Sequence, residues 1–205
     1  MEFDLHVHSM YSYDSFLSPK HILQTSKRKG LDGIAITDHN TIQGGLITKK
    51  INKDDDFIVI VGTEIKTEIG DVIGLFLQSE IHSRMCAEVI EEIRDQGGIS
   101  VFPHPFRGHK SPGKIIDGFD FIEVLNSRSK KMDNENAASL AQSLHKSGVG
   151  GSDAHCSFEI GGARTVVEDV HALKGGRTKV IGKESSYYIM HGLSCCIQHL
   201  KQVIP

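Results

Sequence analysis

Tryptophan is absent from this chain, proline occurs five times in 205 residues, and there are four cysteines. Those cysteines, Cys86, Cys156, Cys195 and Cys196, form no C-x-x-C pair. The spacing excludes a zinc knuckle and offers no disulfide frame, so free thiols in a reducing compartment are expected. No run of about 18 apolar residues occurs, and no basic stretch leads into an apolar one at the N-terminus. The expectation is a cytoplasmic protein without membrane contact. Charge of neither sign is in excess: the net charge is -3 and the pI about 6.4. Without a basic field, long nucleic acid cannot be held by counterion release alone, and a phosphate ligand needs metal ions or a few arginines to attract it. Linkers, repeats and low-complexity segments are also missing. The length suits one domain, residues 1–205, with its own core.

What the chain does have is histidine, twelve of them. The opening segment, MEFDLHVHSMYSYDS, sets His6 and His8 two apart at the end of a short strand over 2–7. Side chains alternate faces along a strand, so the two imidazoles look the same way. Such a pair is either two solvated histidines or half of a metal site. Further along, Ser18-Pro19 reads as a helix N-cap and first turn, with the helix running over 20–29 to Gly30. GIAIT reads as a strand ending at Asp38 and His39, residues 41–52 as a helix, and DFIVIVGTEI as a strand ending at Glu64. TEIGDVIGLFL reads as a hairpin. A helix over 81–96 leads to a strand reaching His104, a second strand reaches Asn126, and a helix over 133–146 precedes a Gly-rich strand running into Asp153 and His155. ARTVVED is a late strand and 185–203 a closing helix.

Strand, polar residues and helix thus repeat about seven times, which implies parallel strands with right-handed crossovers. If the strands close into a barrel, their C-terminal ends share one rim, where such folds keep their chemistry. The polar clusters then converge there. Imidazoles and carboxylates together are ligands for zinc, manganese and iron. Three or more around an open position lower the pKa of a bound water, and a carboxylate such as Glu64 can bridge two ions. Plainer readings exist at each position. His39 could cap the following helix, and Asp38 suits a cap or an orienter of an imidazole better than a ligand. His104 could be a rigid loop residue between two prolines, and Asp14 only a turn former.

DLHVHSMYSYDS, GLDGIAITDHNT, GTEI, FPHP and GSDAH, spanning residues 4–155 in this order, resemble the PHP family, the polymerase and histidinol phosphatase domain. The resemblance implies an α/β fold, a distorted seven-stranded (β/α)7 TIM-like barrel. It implies a first metal bound by His6, His8, Glu64 and Asp153, which would be catalytic through a metal-activated water. Glu64 and His104 would hold a second metal, and Asp14, His39 and His155 a third. Two or three divalent ions, zinc, manganese or iron, are therefore expected. Two departures stand out. Asn126 occupies a position where larger members often have histidine, and an amide oxygen is the weaker ligand. The insertion that some nucleotide-cleaving relatives carry after the Glu64 region is here only a short hairpin.

Arg107, Arg128 and Arg164 follow candidate ligands or open a late strand, and their planar guanidinium groups suit phosphate, so they are expected substrate contacts. His109 could line the pocket mouth. The resulting expectation is hydrolysis of a phosphate ester, a small phosphomonoester or a nucleotide, with nucleic acid a partner only as substrate. The alternatives are a 5′-end RNA or DNA exonuclease, histidinol phosphatase, and a non-catalytic metal-binding module. Oligomeric state is not legible.

Overall fold

Apolar runs of four to nine residues become strands here, and segments with one apolar stripe become helices laid against them. A computed structural model describes residues 1–107 and 113–203, so His109 lies outside the described residues. In chain order the elements are β1 (Glu2–Val7), α1 (Pro19–Arg28), β2 (Gly33–Ile36), α2 (Gln43–Ile51), β3 (Ile58–Lys66), β4 (Asp71–Leu75), α3 (Cys86–Asp95) and β5 (Ile99–Phe102). A 3-10 turn (Gly113–Gly118) follows, then β6 (Phe121–Asn126), α4 (Lys131–Ser143), β7 (Ser147–Gly151), β8 (Ala163–Val166), α5 (Val170–Lys174), β9 (Lys179–Gly182) and α6 (Tyr187–Val203).

The strands form one sheet in the order β7-β6-β5-β4-β3-β2-β1-β8-β9. β1, β2 and β3 are mutually parallel, as are β5, β6 and β7, whereas β4 runs antiparallel to both its neighbours. The expected hairpin is thus present, and it interrupts the expected run of parallel strands. The sheet nearly closes: His8 N donates to Ala154 O at 2.9 Å, and Ala154 N to His6 O at 3.3 Å, just past the end of β7. The described residues contain nine strands and six α-helices, not the expected seven-strand count. The extra pair is an antiparallel hairpin, β8–β9, set on the first residues of β1. β1 therefore carries β8 along its start and the β7 end of the sheet along its finish. β9 is short and half-exposed and lacks the alternation that marks a strand in sequence.

Phe3, Ala35, Ile60, Ile73, Val101, Phe121 and Val149, one from each of the first seven strands, belong to a single buried cluster that fills the barrel. A register shift between Asp4 and Val7 marks a bulge in β1. Phe3 and Leu5 join the barrel-filling cluster, while Val7 packs instead with Ile22, Ile34 and Ile36 under α1. A bulge re-aims side chains in this way, and it leaves His6 and His8 on the lining face. In β3, Ile60 and Glu64 share a face by the same alternation.

Helix boundaries follow their caps. Ser18 Oγ accepts from His21 N at 3.3 Å with Pro19 in the first turn, as read from the sequence. α2 begins at Gln43, not Thr41, because Glu80 takes the Ile42 N–H at 3.0 Å and the Thr41 hydroxyl at 2.9 Å. Glu92 takes the N–H groups of His82 and Ser83, which delays α3 to Cys86. Over its 17 residues α6 buries only Met190. It is tied down by polar bonds, among them Lys201 Nζ to Met10 O and Ser12 O at 2.8 and 2.6 Å. No described helix is long and apolar enough to cross a membrane.

Candidate metal centre

His6 and His8 leave the end of β1, and Glu64 rises from β3. Asp153 follows β7 in a left-handed backbone conformation, φ 57°. A non-glycine residue tolerates that region only at a cost that its surroundings must offset, and such residues gather at functional sites. His104, after β5, has φ 29°. Gly151 makes the approach of β7 to β1 possible: a Cβ there would collide with His6 Cβ and lie 2.8 Å from Glu123 Oε1.

All five side chains are buried. His6 Nε2 lies 3.1 Å from His8 Nε2, 3.3 Å from Glu64 Oε2 and 3.6 Å from Asp153 Oδ1. His8 Nε2 lies 3.3 Å from each of the same two carboxylate oxygens. Four donors around a zinc-like ion with bonds of 2.0–2.1 Å would sit ~3.4 Å apart at the corners of a tetrahedron. Five of its six edges are therefore accounted for. Beside this set, Glu64 Oε1 faces His104 Nε2 at 3.0 Å. On the other side, His8, Asp14, His39 and His155 bring ligand atoms within 4.8 Å of one another. Asp14 Oδ2 is 2.9 Å from His155 Nε2 and 3.4 Å from His39 Nε2. Asp14 Oδ1 is buried with no hydrogen-bond partner. An orphaned carboxylate oxygen among three imidazoles is what a cation would satisfy, so the residues fit the group.

The electrostatics agree. Burial alone disfavours a charged His6, but Asp153, Glu64 and Glu123 outweigh it and hold the imidazole well above its ordinary value. His8 is likewise pushed up to about 9, against burial, by Asp153 and Glu64. Burial also opposes ionised Glu64 and Asp153, yet the imidazoles, joined at Asp153 by Arg107, hold both well below the usual carboxylate range. His155 goes the other way, to about 4, through burial and the neighbouring His8. A pocket that keeps protons on imidazoles and off carboxylates is one that demands positive charge.

A protein-family comparison settles the relationship: the PHP domain matches residues 4–161. The chain belongs to the PHP domain family. Among curated proteins, the uncharacterized MJ1587 of Methanocaldococcus jannaschii is 44% identical over 141 residues, covering 62% of this chain and 82% of that protein. Among solved structures, a two-domain protein from Bacteroides vulgatus, described as containing a predicted PHP-like metal-dependent phosphoesterase, superposes with a TM-score of 0.74 at 18% identity. The overlap covers 89% of this chain and 65% of that one, just under two thirds. PsfC from Pseudomonas syringae gives a TM-score of 0.69 at 18% identity over 97% of this chain and 98% of its own.

The PHP motifs converge, and the residues around them have separate tasks. Asp38 is an orienter: it accepts from Ser9 N at 2.6 Å and from Ser12 Oγ at 3.0 Å, and Ser12 Oγ meets His8 Nδ1 at 3.0 Å. Glu123, which the sequence reading passed over, does the same for His6. Its Oε1 is 3.0 Å from His6 Nδ1, and its Oε2 accepts from His104 N and Asn126 Nδ2, both at 2.9 Å. The signal was there: a carboxylate inside the apolar strand DFIEVLN. Asp71, also passed over, has a carboxylate oxygen within 4.8 Å of ligand atoms of Glu64 and His104. Burial and Glu64 together push its carboxyl up.

Three of the expected site residues have partners within the protein. Asn126 is not a spare donor, because its oxygen already accepts from Arg128 N at 2.9 Å and Arg107 Nη1 at 3.2 Å. Arg128 is buried and committed, with Nε on Glu159 at 2.7 Å and the remaining nitrogens on Ser194 Oγ, Met190 O and His155 Nδ1. Arg164 is engaged away from the cluster, with Glu2 at 2.6 Å and the carbonyls of Gly161 and Lys29. Of the three, only Arg107 reaches the His6, His8, Glu64 and Asp153 set, 2.5 Å from Asp153 Oδ2.

Proposed function

We propose that this PHP protein hydrolyses phosphate esters with two or three bound divalent ions, zinc, manganese or iron, and that its substrate is a small phosphomonoester or a nucleotide. The observation that carries the reading is the near-tetrahedral spacing of His6, His8, Glu64 and Asp153. In the proposed arrangement these four residues hold the first ion, Glu64 and His104 the second, and Asp14, His39 and His155 the third. The ions supply Lewis acidity and a water of lowered pKa.

The chain's own groups do the rest. Glu123 and Asp38, the latter through Ser12, orient His6 and His8, which keeps ring lone pairs aimed inward. Arg107 has N–H groups beyond those it gives to Asp153 and Asn126, and these can take a phosphate oxygen. Beside His39 a cavity of about 490 Å³ is lined by Met10, Tyr11, Ser12, Tyr13, Gln198, Lys201 and Gln202. It suits the organic part of the ester. Tyr13 stacks on His39, with centroids 4.7 Å apart and planes at 15°. Burial, with Asp14 next, pushes its phenol up to about 12, so it keeps its proton and can donate to a leaving-group oxygen. A base could stack on these tyrosines, which favours a nucleotide among small substrates.

Among the described residues no arginine track runs beside the cluster, which supports a short substrate over a nucleic-acid chain. The test is a panel of 4-nitrophenyl phosphate, its bis-ester, nucleoside monophosphates, 3′,5′-bisphosphonucleosides, histidinol phosphate and 5′-phosphorylated oligonucleotides, each with manganese, zinc or iron. Rates no higher than those of His8→Ala on every substrate would refute the proposal. Protein holding no stoichiometric metal after reconstitution would point instead to a non-catalytic barrel.

A further inference from the structure

α6 is joined to the rest of the protein along one side. Met190 is buried there, Ser194 Oγ accepts from Arg128, and Lys201 reaches Met10 O and Ser12 O. About a third of a turn round the helix axis lie Ile189, Leu193, Cys196, Leu200 and Val203. Their spacing is four, three, four, three. At 3.6 residues per turn they fall within a strip about 80° wide. Such a strip is the seam by which one helix packs along another. Among the described residues nothing covers it: the four aliphatic side chains are between 36% and 66% exposed, and Cys196 is exposed.

We propose that this face of α6 packs against the same face of a second copy of the chain, making a two-fold dimer. Charge selects the occupant. From Tyr187 to Leu200 there is no Asp, Glu, Lys or Arg. A two-fold interface sets a patch against itself, so a patch of one sign would repel its copy, and this one carries no such charge. Depletion of charge also marks the core of protein interfaces. A lipid surface would call for Lys or Arg along the flank of the helix. The lysine that α6 has, Lys201, is turned inward to the Met10–Ser12 loop. Area sets the strength. A helix of 17 residues is about 25 Å long and 10 Å wide. That footprint is well short of the about 800 Å² each partner gives to a standard interface. Tyr188 extends the apolar surface at the start of the helix, and Met10 and Phe16, both half-exposed, extend it beside Lys201. The dimer is therefore a weak one that dilution dissociates. Gly192, where a Cβ would meet nothing within 4 Å, lets the partner backbone come close. Since α6 also gives Gln198, Lys201 and Gln202 to the cavity beside His39, pairing would brace one wall of that cavity.

The experiment is sedimentation velocity of the reduced full-length protein over a dilution series. Wild type should be a dimer that dissociates as its concentration falls. Leu193→Ala and Leu200→Ala should each weaken the dimer about tenfold or more, because one substitution removes two side chains from a two-fold seam. Leu193→Glu should be a monomer throughout. Circular dichroism and thermal melts, taken where wild type is monomeric, should match across these proteins, since the seam faces solvent in the single chain. A second measurement leaves the seam intact: a short bis-maleimide should link two chains through Cys196, so that crosslinking survives Cys195→Ser and is lost in Cys196→Ser. A wild type that stays monomeric at every concentration would overturn the inference. So would a dimer that Leu193→Glu leaves untouched, or one crosslinked through Cys195 instead. A monomer that co-sediments with phosphatidylcholine–phosphatidylglycerol vesicles would give the face to lipid and overturn it too. These readouts involve neither metal nor turnover, so the phosphoesterase reading stands or falls separately.

Discussion

Glu123→Gln should cost the protein its tight metal binding, although the change alters one atom. Glu123 is 2% exposed and receives three contacts on its two oxygens: His6 Nδ1 at 3.0 Å on one, His104 N and Asn126 Nδ2 at 2.9 Å on the other. A glutamine offers one oxygen and one NH₂. If the oxygen stays toward His104 and Asn126, the NH₂ faces His6 Nδ1, which must then accept. That forces the ring proton onto Nε2, the nitrogen that looks toward His8, Glu64 and Asp153. If the amide turns round, NH₂ opposes two N–H donors in a buried site. Either way the His6 ligand is lost or strained. Loss of such a partner typically weakens metal affinity 10–100-fold, about 1.4–2.8 kcal/mol. Lost hydrogen bonds to a charged group cost the metal-free fold about 1.5–3 kcal/mol more. Calorimetric metal titration and urea unfolding measure the two separately. If Glu123→Gln bound metal within twofold of wild type, the tautomer argument would be wrong.

Metal affinity should rise with pH between 6 and 9, because His6 and His8 (the latter at about 9) carry protons that a cation must expel. The expected slope is about tenfold per unit for each proton released, and titrations in buffers of different ionisation enthalpy would count those protons. The same shifts give the metal-free protein a stability optimum. Raised imidazole pKa values stabilise below about 6.5 and lose their effect as pH climbs toward 9. The lowered carboxyls of Glu64 and Asp153 stabilise above their ordinary range and lose their effect in acid. Melts from pH 4 to 9 should therefore peak near pH 5–6.5 without metal, and a flat profile would contradict this. Arg128→Ala should destabilise by about 3–5 kcal/mol, since it strands the buried Glu159 carboxylate, and urea unfolding measures it. Gly151→Ala should lower metal affinity more than Gly192→Ala, whose Cβ meets nothing within 4 Å, because the Gly151 methyl pushes on His6; equal titrations of the two would contradict the close approach.

Much of this candidate centre was legible in the sequence because its candidate donors sit at strand ends, and strand ends show as apolar runs broken by His, Asp or Glu. His6, His8, Glu64, His104 and Asp153 each mark such a break. What stayed hidden depended on pairing. Asp71 looks like a hairpin residue until the β3–β4 register puts it beside Glu64. Glu123 lies within β6, and only the proximity of β7 and β1 gives it His6 as a partner. Arg128 and Arg107 look alike in sequence, each two or three residues past a candidate ligand. One is claimed by Glu159 and α6, and the other is left at the cluster, a difference made by elements far along the chain. The β8–β9 hairpin was half visible, as ARTVVED, and its second strand was not, because a short half-exposed edge carries little periodic signal.

The seam between β1 and the residues after β7 has a consequence for how the protein is made. His6 and His8 emerge from the ribosome well before Asp153, which lies 145 residues after His8. At roughly 5–20 residues per second the first strand waits on the order of ten seconds for its last neighbour. Until then a nascent chain lacks one of the four donors proposed for the first ion, so metal loading should report completion of the barrel.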